Sequence, residues 1–324
     1  MKRYFLPVGL LLAMAIGLLV PSPGVALSGI AIGPITAKTL CILGIFLIMG
    51  YQLDPKTLIL SRRFFAACSA AFVINLLLAP ALAVLLVFLI EQASGQTLDS
   101  GLTTGLYIAA CVPCTLSSAA VITRVAGGNE AWSLSLIVLL NVLGVFVLPF
   151  TLDLCLTSSG IPLDQFAMLL KILLQVITPL LVGQLIRYAT GPRKFKLFEY
   201  LPSTFVVMIV WMAVSQQQTL LRTLTLPMLL GMAILSFVLH GLLLLLAWGV
   251  SRYPLRLDRP ELSAILFTSS QKTLPIALTI IMLLDETAPD LASRLGVATV
   301  VCIVFHFVQL NVDSLIAARM RIAK

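Results

Sequence analysis

Apolar residues fill the chain in long runs separated by short polar breaks. A helix needs about 20 predominantly apolar residues to cross a bilayer. By that measure ten runs stand out, at 4–20, 35–51, 64–90, 102–126, 131–155, 166–189, 200–215, 226–250, 261–284 and 295–317, the second and seventh being short. No stretch between them is long or polar enough for a separate soluble domain. The pattern predicts one all-α polytopic membrane domain over residues 1–324. Lys2 and Arg3 precede the first run as they would in a signal peptide. The following Pro21-Ser22-Pro23-Gly24 is a poor small-residue cleavage site, so the run is read as the first span.

Composition agrees: 60% of the 324 residues are hydrophobic, 10% are charged, and mean hydropathy is +1.09. A soluble chain is about a quarter charged. The net charge of +8 does not point to nucleic acid, because the basic residues are scattered through short loops. With a cytoplasmic amino terminus, inner segments hold sixteen basic residues, among them Lys56, Arg193, Lys194 and Lys324, and outer segments hold four. That bias predicts both termini on the cytoplasmic side of an inner membrane. The six cysteines lie in or beside apolar runs and read as small hydrophobes rather than a disulfide framework.

Ten spans divide into five and five, roughly 1–158 and 159–324. An odd number per half inverts the second half relative to the first, as is common in secondary transporters. The fourth span of each half carries a polar, proline-containing interruption. In the first half it is Pro113-Cys114-Thr115-Leu116-Ser117-Ser118; in the second it is Ser269-Ser270-Gln271-Lys272-Thr273-Leu274-Pro275. Proline removes a backbone donor and frees carbonyls, and a lysine in the bilayer costs roughly 2.5–3.5 kcal/mol or more, so both need local partners. Two readings follow for Lys272: a site for a polar solute or ion, or a kinked helix whose lysine caps the freed carbonyls. As part of a site it serves as a fixed cation for an anionic solute, a proton carrier, or a built-in substitute for a metal cation. Thr115, Ser117, Ser118, Ser133, Ser269, Ser270, Gln271, Lys272 and Thr273 are the candidate substrate- and ion-binding residues, with Pro113 and Pro275 as the helix-breaking prolines.

Other polar residues have simpler readings. Gly127-Gly128-Asn129 reads as a tight turn, and Asn75, Asn141 and Gln184 as helix contacts. Cys111 and Cys114 form Cys-x-x-Cys without a partner motif, and His240 and His306 lack a second ligand at metal-binding spacing, so packing or interhelical hydrogen bonding is expected. No Asp or Glu is expected deep in the membrane. No phosphate-binding loop, paired acids or nucleophile–base pair is visible, which argues against direct ATP use and against an enzyme.

The two interrupted segments, with Thr123-Arg124-Val125-Ala126-Gly127-Gly128-Asn129-Glu130-Ala131, resemble the bile acid:sodium symporter family, closest to its bacterial branch grouped with the vertebrate orphan member. That resemblance implies two inverted five-helix repeats arranged as a panel and a core, with broken helices four and nine crossing at the midplane and sodium bound behind the crossing. It also implies alternating-access transport of organic anions such as bile acids and sulfated steroids. Gln271 matches the glutamine of the ninth-helix motif and Ser133 a hydroxyl ligand on the fifth helix, whereas Ala119 and Ala120 stand where the family has a Ser-Asn pair. The well-studied members have a glutamate four residues before that glutamine and an asparagine after it; here these positions are Phe267 and Lys272. An acid is replaced and a cation added beside one site, so the Lys272 ammonium is expected to occupy or compete for a cation position. The expectation is a secondary transporter of a small organic anion in the lipid bilayer, without cofactor and with sodium as the candidate coupling ion. The rivals are a channel-like or regulatory membrane protein, which predicts a continuous polar stripe, and a membrane enzyme.

Overall fold

The computed structural model describes residues 2–33, 35–53, 61–115, 118–157, 164–191 and 196–322. Ser117, Lys56, Arg193, Lys194 and Lys324 lie outside them. Among the described residues the chain is helical apart from a two-residue ladder pairing Ala31 with Thr36 and Ile32 with Ile35. The principal helices are α1 Lys2–Leu19, α2 Pro21–Ser28, α3 Ala37–Gln52, α4 Arg62–Ser94, α5 Ser100–Cys111, α6 Ser118–Val125, α7 Glu130–Thr157, α8 Gln165–Thr190, α9 Leu201–Gln216, α10 Leu226–Arg252, α11 Arg259–Ser270, α12 Leu274–Thr287 and α13 Ala292–Ile322.

Every predicted apolar run falls on helix, but fewer than ten are uninterrupted and bilayer-length. Six stretches are long and apolar enough to cross (α4, α7, α8, α10, α11 with α12, and α13), and the bent pair α1–α2 makes a seventh. The shortfall is one of length. At 1.5 Å per residue, the 16 residues of α3 and of α9 reach about 24 Å, less than the ~30 Å hydrocarbon core. The predicted 102–126 run is divided into α5 and α6. The 100° bend between α1 and α2 falls at Val20, whose backbone Pro21 drives out of the helical region (φ −133, ψ 73).

Two packing groups result. Helix α3 packs on α8 and α9, and α9 on α1 and α2. In the other group α13 packs on α5 and α10, and α11 packs on α6, α7 and α10. A small open cleft lies between the groups, with Lys38 and Gln216 on one wall and Leu278, Ile281, Met282 and Asp285 on the other.

The α5–α13 contact sets the depth of the α5 end, and it depends on a Gly-x-x-x-Gly pair. A Cβ on Gly105 would stand 2.6 Å from Val301 Cβ and 2.8 Å from Ala298 O. Small residues at such crossings let backbones approach. Gly105→Val therefore overpacks the crossing by about 1–3 kcal/mol and lowers the melting temperature of the detergent-purified protein by several degrees. Gly241→Ala, with no neighbouring atom within 4 Å, leaves it unchanged or slightly raised. Equal melting of the two variants would contradict this packing.

Candidate functional site

Pro113 and Pro275 act at different places in their breaks. Pro113 lies within the first, where Val112 is extended (φ −66, ψ 148) after the last helical bond from its N–H to Ile108 O. Pro275 does not kink a continuous helix as expected; it is the second residue of α12, where its missing N–H would be unpaired anyway. The second break is Gln271–Thr273, held extended between α11 and α12. The two breaks meet through one backbone bond, Thr273 N–H to Pro113 O at 2.9 Å.

Unpaired backbone groups inside a bilayer cost several kcal/mol each, so their destinations matter. Around both breaks the carbonyls are met by side chains from four other helices. Asn141 of α7 donates to Cys114 O at 3.1 Å, and Asn75 of α4 donates to Ser269 O at 2.9 Å and Gln271 O at 3.0 Å. Gln309 of α13 clamps the Lys272 peptide, accepting from its N–H at 2.8 Å and donating to its carbonyl at 2.7 Å. His240 of α10 places Nδ1 3.3 Å from Ser270 O.

Lys272 is 2% exposed. Its ammonium donates to Ala110 O at 2.7 Å, to Val112 O at 3.1 Å and to Asn75 O. An ammonium has three hydrogens, and all three are used. Ala110 and Val112 end α5, where the helix dipole is negative and Pro113 supplies no N–H. The Asn75 carbonyl is free for a related reason. Residues Val73–Leu78 of α4 are π-wound, with Ala79 N–H bonded to Ile74 O; the next rung would pair Asn75 O with residue 80, which is Pro80. The ammonium thus caps three carbonyls of other helices, two at the end of α5 and one facing Pro80, rather than carbonyls freed within its own broken helix.

Gln271 is fully buried and joins the breaks through its side chain. Its Oε1 accepts from Thr115 Oγ1 at 2.6 Å and Ser118 Oγ at 2.8 Å, while Thr115 also caps α6 by accepting from Ala119 N–H at 3.2 Å. Its Nε2 donates to Asp313 Oδ2 at 2.7 Å. The remaining candidates are less central. Ser133 is buried and accepts from Thr123 Oγ1 at 3.3 Å, joining α6 to α7. Ser270 bonds back to Leu266 O at 2.8 Å. Ser269 Oγ and Asn75 Oδ1 are buried without partners among the described residues. Thr273 is buried and contributes its backbone N–H.

The expectation that no acid lies deep is overturned. Asp313, four residues inside the end of the 295–317 run, is 0% exposed, with His240 of α10 and Gln271 of the second break against its carboxylate. Its Oδ1 lies 2.8 Å from His240 Nε2. His240 Nδ1 in turn faces the Ser270 carbonyl, so the imidazole bridges Asp313 to the second break. His306, Gln309 and Asp313 lie on one face of α13 at i, i+3 and i+7, a stripe the sequence displays. The other polar readings hold in place. The turn at Gly127 has φ +73 and Asn129 accepts from Trp132 N–H at 3.2 Å; Gln184 bonds Leu53 O at 2.8 Å; and the six buried cysteines form no disulfide.

Removing one partner of this buried network leaves the others unpaired. Asp313→Ala strips both His240 Nε2 and Gln271 Nε2, at a cost of about 3–5 kcal/mol, and Asp313→Asn, which keeps a hydrogen-bonding group, costs less. Thermal melting in detergent measures both; a loss below about 1 kcal/mol for Asp313→Ala would show the pair to be solvated rather than buried.

The model of the SBF-like CPA transporter family matches residues 4–322. The chain is 26% identical over 329 aligned positions to the probable sodium/metabolite cotransporter BASS4, chloroplastic, of Arabidopsis thaliana, with 96% of this chain and 71% of the relative covered. It is 28% identical over 215 positions to sodium/bile acid cotransporter 7 of Mus musculus, covering 65% and 61%. It is 26% identical over 230 positions to the putative symporter YfeH of Escherichia coli, covering 69% and 67%. All three carry transporter names, and none an enzyme's. With its apolar helices and buried polar crossing, the chain is a multi-pass membrane protein that belongs to the SBF-like CPA transporter family.

Proposed function

We propose that this chain is a secondary transporter moving a small organic anion across a bacterial inner membrane by alternating access. Each of the ten apolar segments crosses once, both termini are cytoplasmic, and the halves 1–158 and 159–324 form inverted five-helix repeats. The short α3 and α9 are accommodated by local thinning of the bilayer. Substrate and ion are handled around the crossing by Thr115, Ser117, Ser118, Ser133, Ser269, Ser270, Gln271, Lys272 and Thr273.

The observation that carries this reading is the joined pair of interrupted helices at one buried polar crossing, beside a cleft between two packing groups. Helix α12 runs from the crossing to the cleft, presenting Leu278, Ile281, Met282 and Asp285 at i, i+3, i+4 and i+7. A shift at the Thr273–Pro113 link therefore moves a cleft wall. On the facing wall Lys38 bonds Gln216 and supplies positive charge at the opening. The names of two relatives, a sodium/metabolite and a sodium/bile acid cotransporter, support a small-molecule substrate. A channel would require a polar stripe along several helices, whereas the polar residues of α11 and α12 gather at their junction.

Uptake of a panel of carboxylated and sulfated metabolites into proteoliposomes tests the proposal. The expected result is saturable uptake that accelerates when the same anion is loaded inside, reduced at least tenfold by Gln271→Ala. Flux that rises linearly with concentration and ignores internal anion would favour a channel. Uptake unaffected by Gln271→Ala would remove the crossing from the mechanism.

A further inference from the structure

The three oxygens around the Lys272 ammonium have a chemistry of their own. All are backbone carbonyls, contributed by the end of α5 and by the π-wound turn of α4. No carboxylate shares the cradle, and no described group of His, Cys, Asp and Glu has metal-binding geometry. Uncharged carbonyls gathered at one point replace the hydration shell of a monovalent cation. Because all three oxygens receive an ammonium group, the cradle suits a monovalent cation of ammonium or potassium size. The cradle oxygens belong to helical backbone of α4 and to the end of α5, not to the segment that carries the lysine: Pro80 leaves the Asn75 carbonyl without its next rung, and α5 ends before the Ala110 and Val112 carbonyls find helical partners.

We infer that the cradle of Asn75, Ala110 and Val112 carbonyls is a monovalent-cation site permanently filled by the side chain of Lys272. The ammonium is a tethered ion: it supplies the positive charge that α4, α5 and the crossing need, and it excludes a free metal ion from this position. Two consequences follow. In the wild-type protein no sodium, potassium or ammonium ion enters the cradle, so any metal-ion coupling runs through other groups. With the side chain cut back, the carbonyls remain and the site accepts a free cation. The inference concerns occupancy and rests on the membrane-embedded crossing, not on transport. Its readout is stability in detergent, so it fails or stands separately from uptake.

The test is thermal melting of wild type, Lys272→Ala and Lys272→Met in choline, sodium, potassium and ammonium chloride at equal ionic strength. Wild type is expected to melt alike in all four. Lys272→Ala is expected to melt several degrees lower in choline, and to recover with a saturable dependence on potassium or ammonium, since a ligand that binds only the folded state stabilises it. Lys272→Met, whose apolar stem fills the space without charge, is expected to stay low in every salt. A variant recovered only when a small cation is present also supports the inference. Lys272→Ala melting identically in all salts, responding no more than Lys272→Met, or failing to fold in every salt overturns it. So does a sodium-specific shift in wild type that Lys272→Ala loses.

Discussion

A backbone carbonyl without a partner is tolerable in water and costly in a bilayer, and the centre of this protein is arranged around that constraint. Two helices stop at one depth. Their extended peptides leave a cluster of carbonyls, and each neighbouring helix sends one polar side chain to answer it: Asn75, Asn141, His240 and Gln309. Lys272 closes the remaining three carbonyls from within the break itself. Such networks are high-stakes, because in a low dielectric a satisfied group strengthens its neighbours and an abandoned one costs its full desolvation. The crossing is therefore held rigid while all its partners are in place.

The same network couples distant parts of the chain. Gln271 links the hydroxyls of Thr115 and Ser118 on one side to the Asp313–His240 pair on the other, tying α6, α10, α11 and α13 to one side chain. The single Thr273–Pro113 bond is the direct link between the two interrupted backbones, and α12 carries any shift there to the cleft. Close helix approach at Gly105 keeps the α5 carbonyls at the level of Lys272.

Much of this was legible in the sequence, and the limits are physical. Apolar runs located every principal helix except α2 because bilayer length imposes a strong period-free signal, and prolines beside hydroxyls marked both breaks. The alternatives left open at Lys272 were those of a residue whose partners lie on other helices. Asn75 illustrates the difficulty: its carbonyl is free only because a π turn and Pro80 coincide, and run length does not report π-winding. Asp313 escaped notice through its neighbours, since Arg319 and Arg321 follow it and make the end of α13 resemble an interface. Its burial follows from partners brought by other elements, His240 of α10 and Gln271 of the second break. The spacing of His306, Gln309 and Asp313 did carry the signal, as one polar face on an apolar helix. The lengths of α3 and α9 were visible as short runs, and with the division of the 102–126 run into α5 and α6 they account for the difference between ten apolar segments and the seven of bilayer length found among the described residues.

Occupancy of the carbonyl cradle is open to direct observation. Thallium(I) is a heavy, potassium-sized monovalent cation whose anomalous scattering locates it unambiguously in crystals. Crystals of Lys272→Ala soaked in a thallium salt should show a peak bounded by the carbonyl oxygens of Asn75, Ala110 and Val112, where wild-type crystals show only the lysine nitrogen. An absence of thallium from the variant's cradle, or its presence there beside an intact Lys272, would contradict the tethered-ion reading.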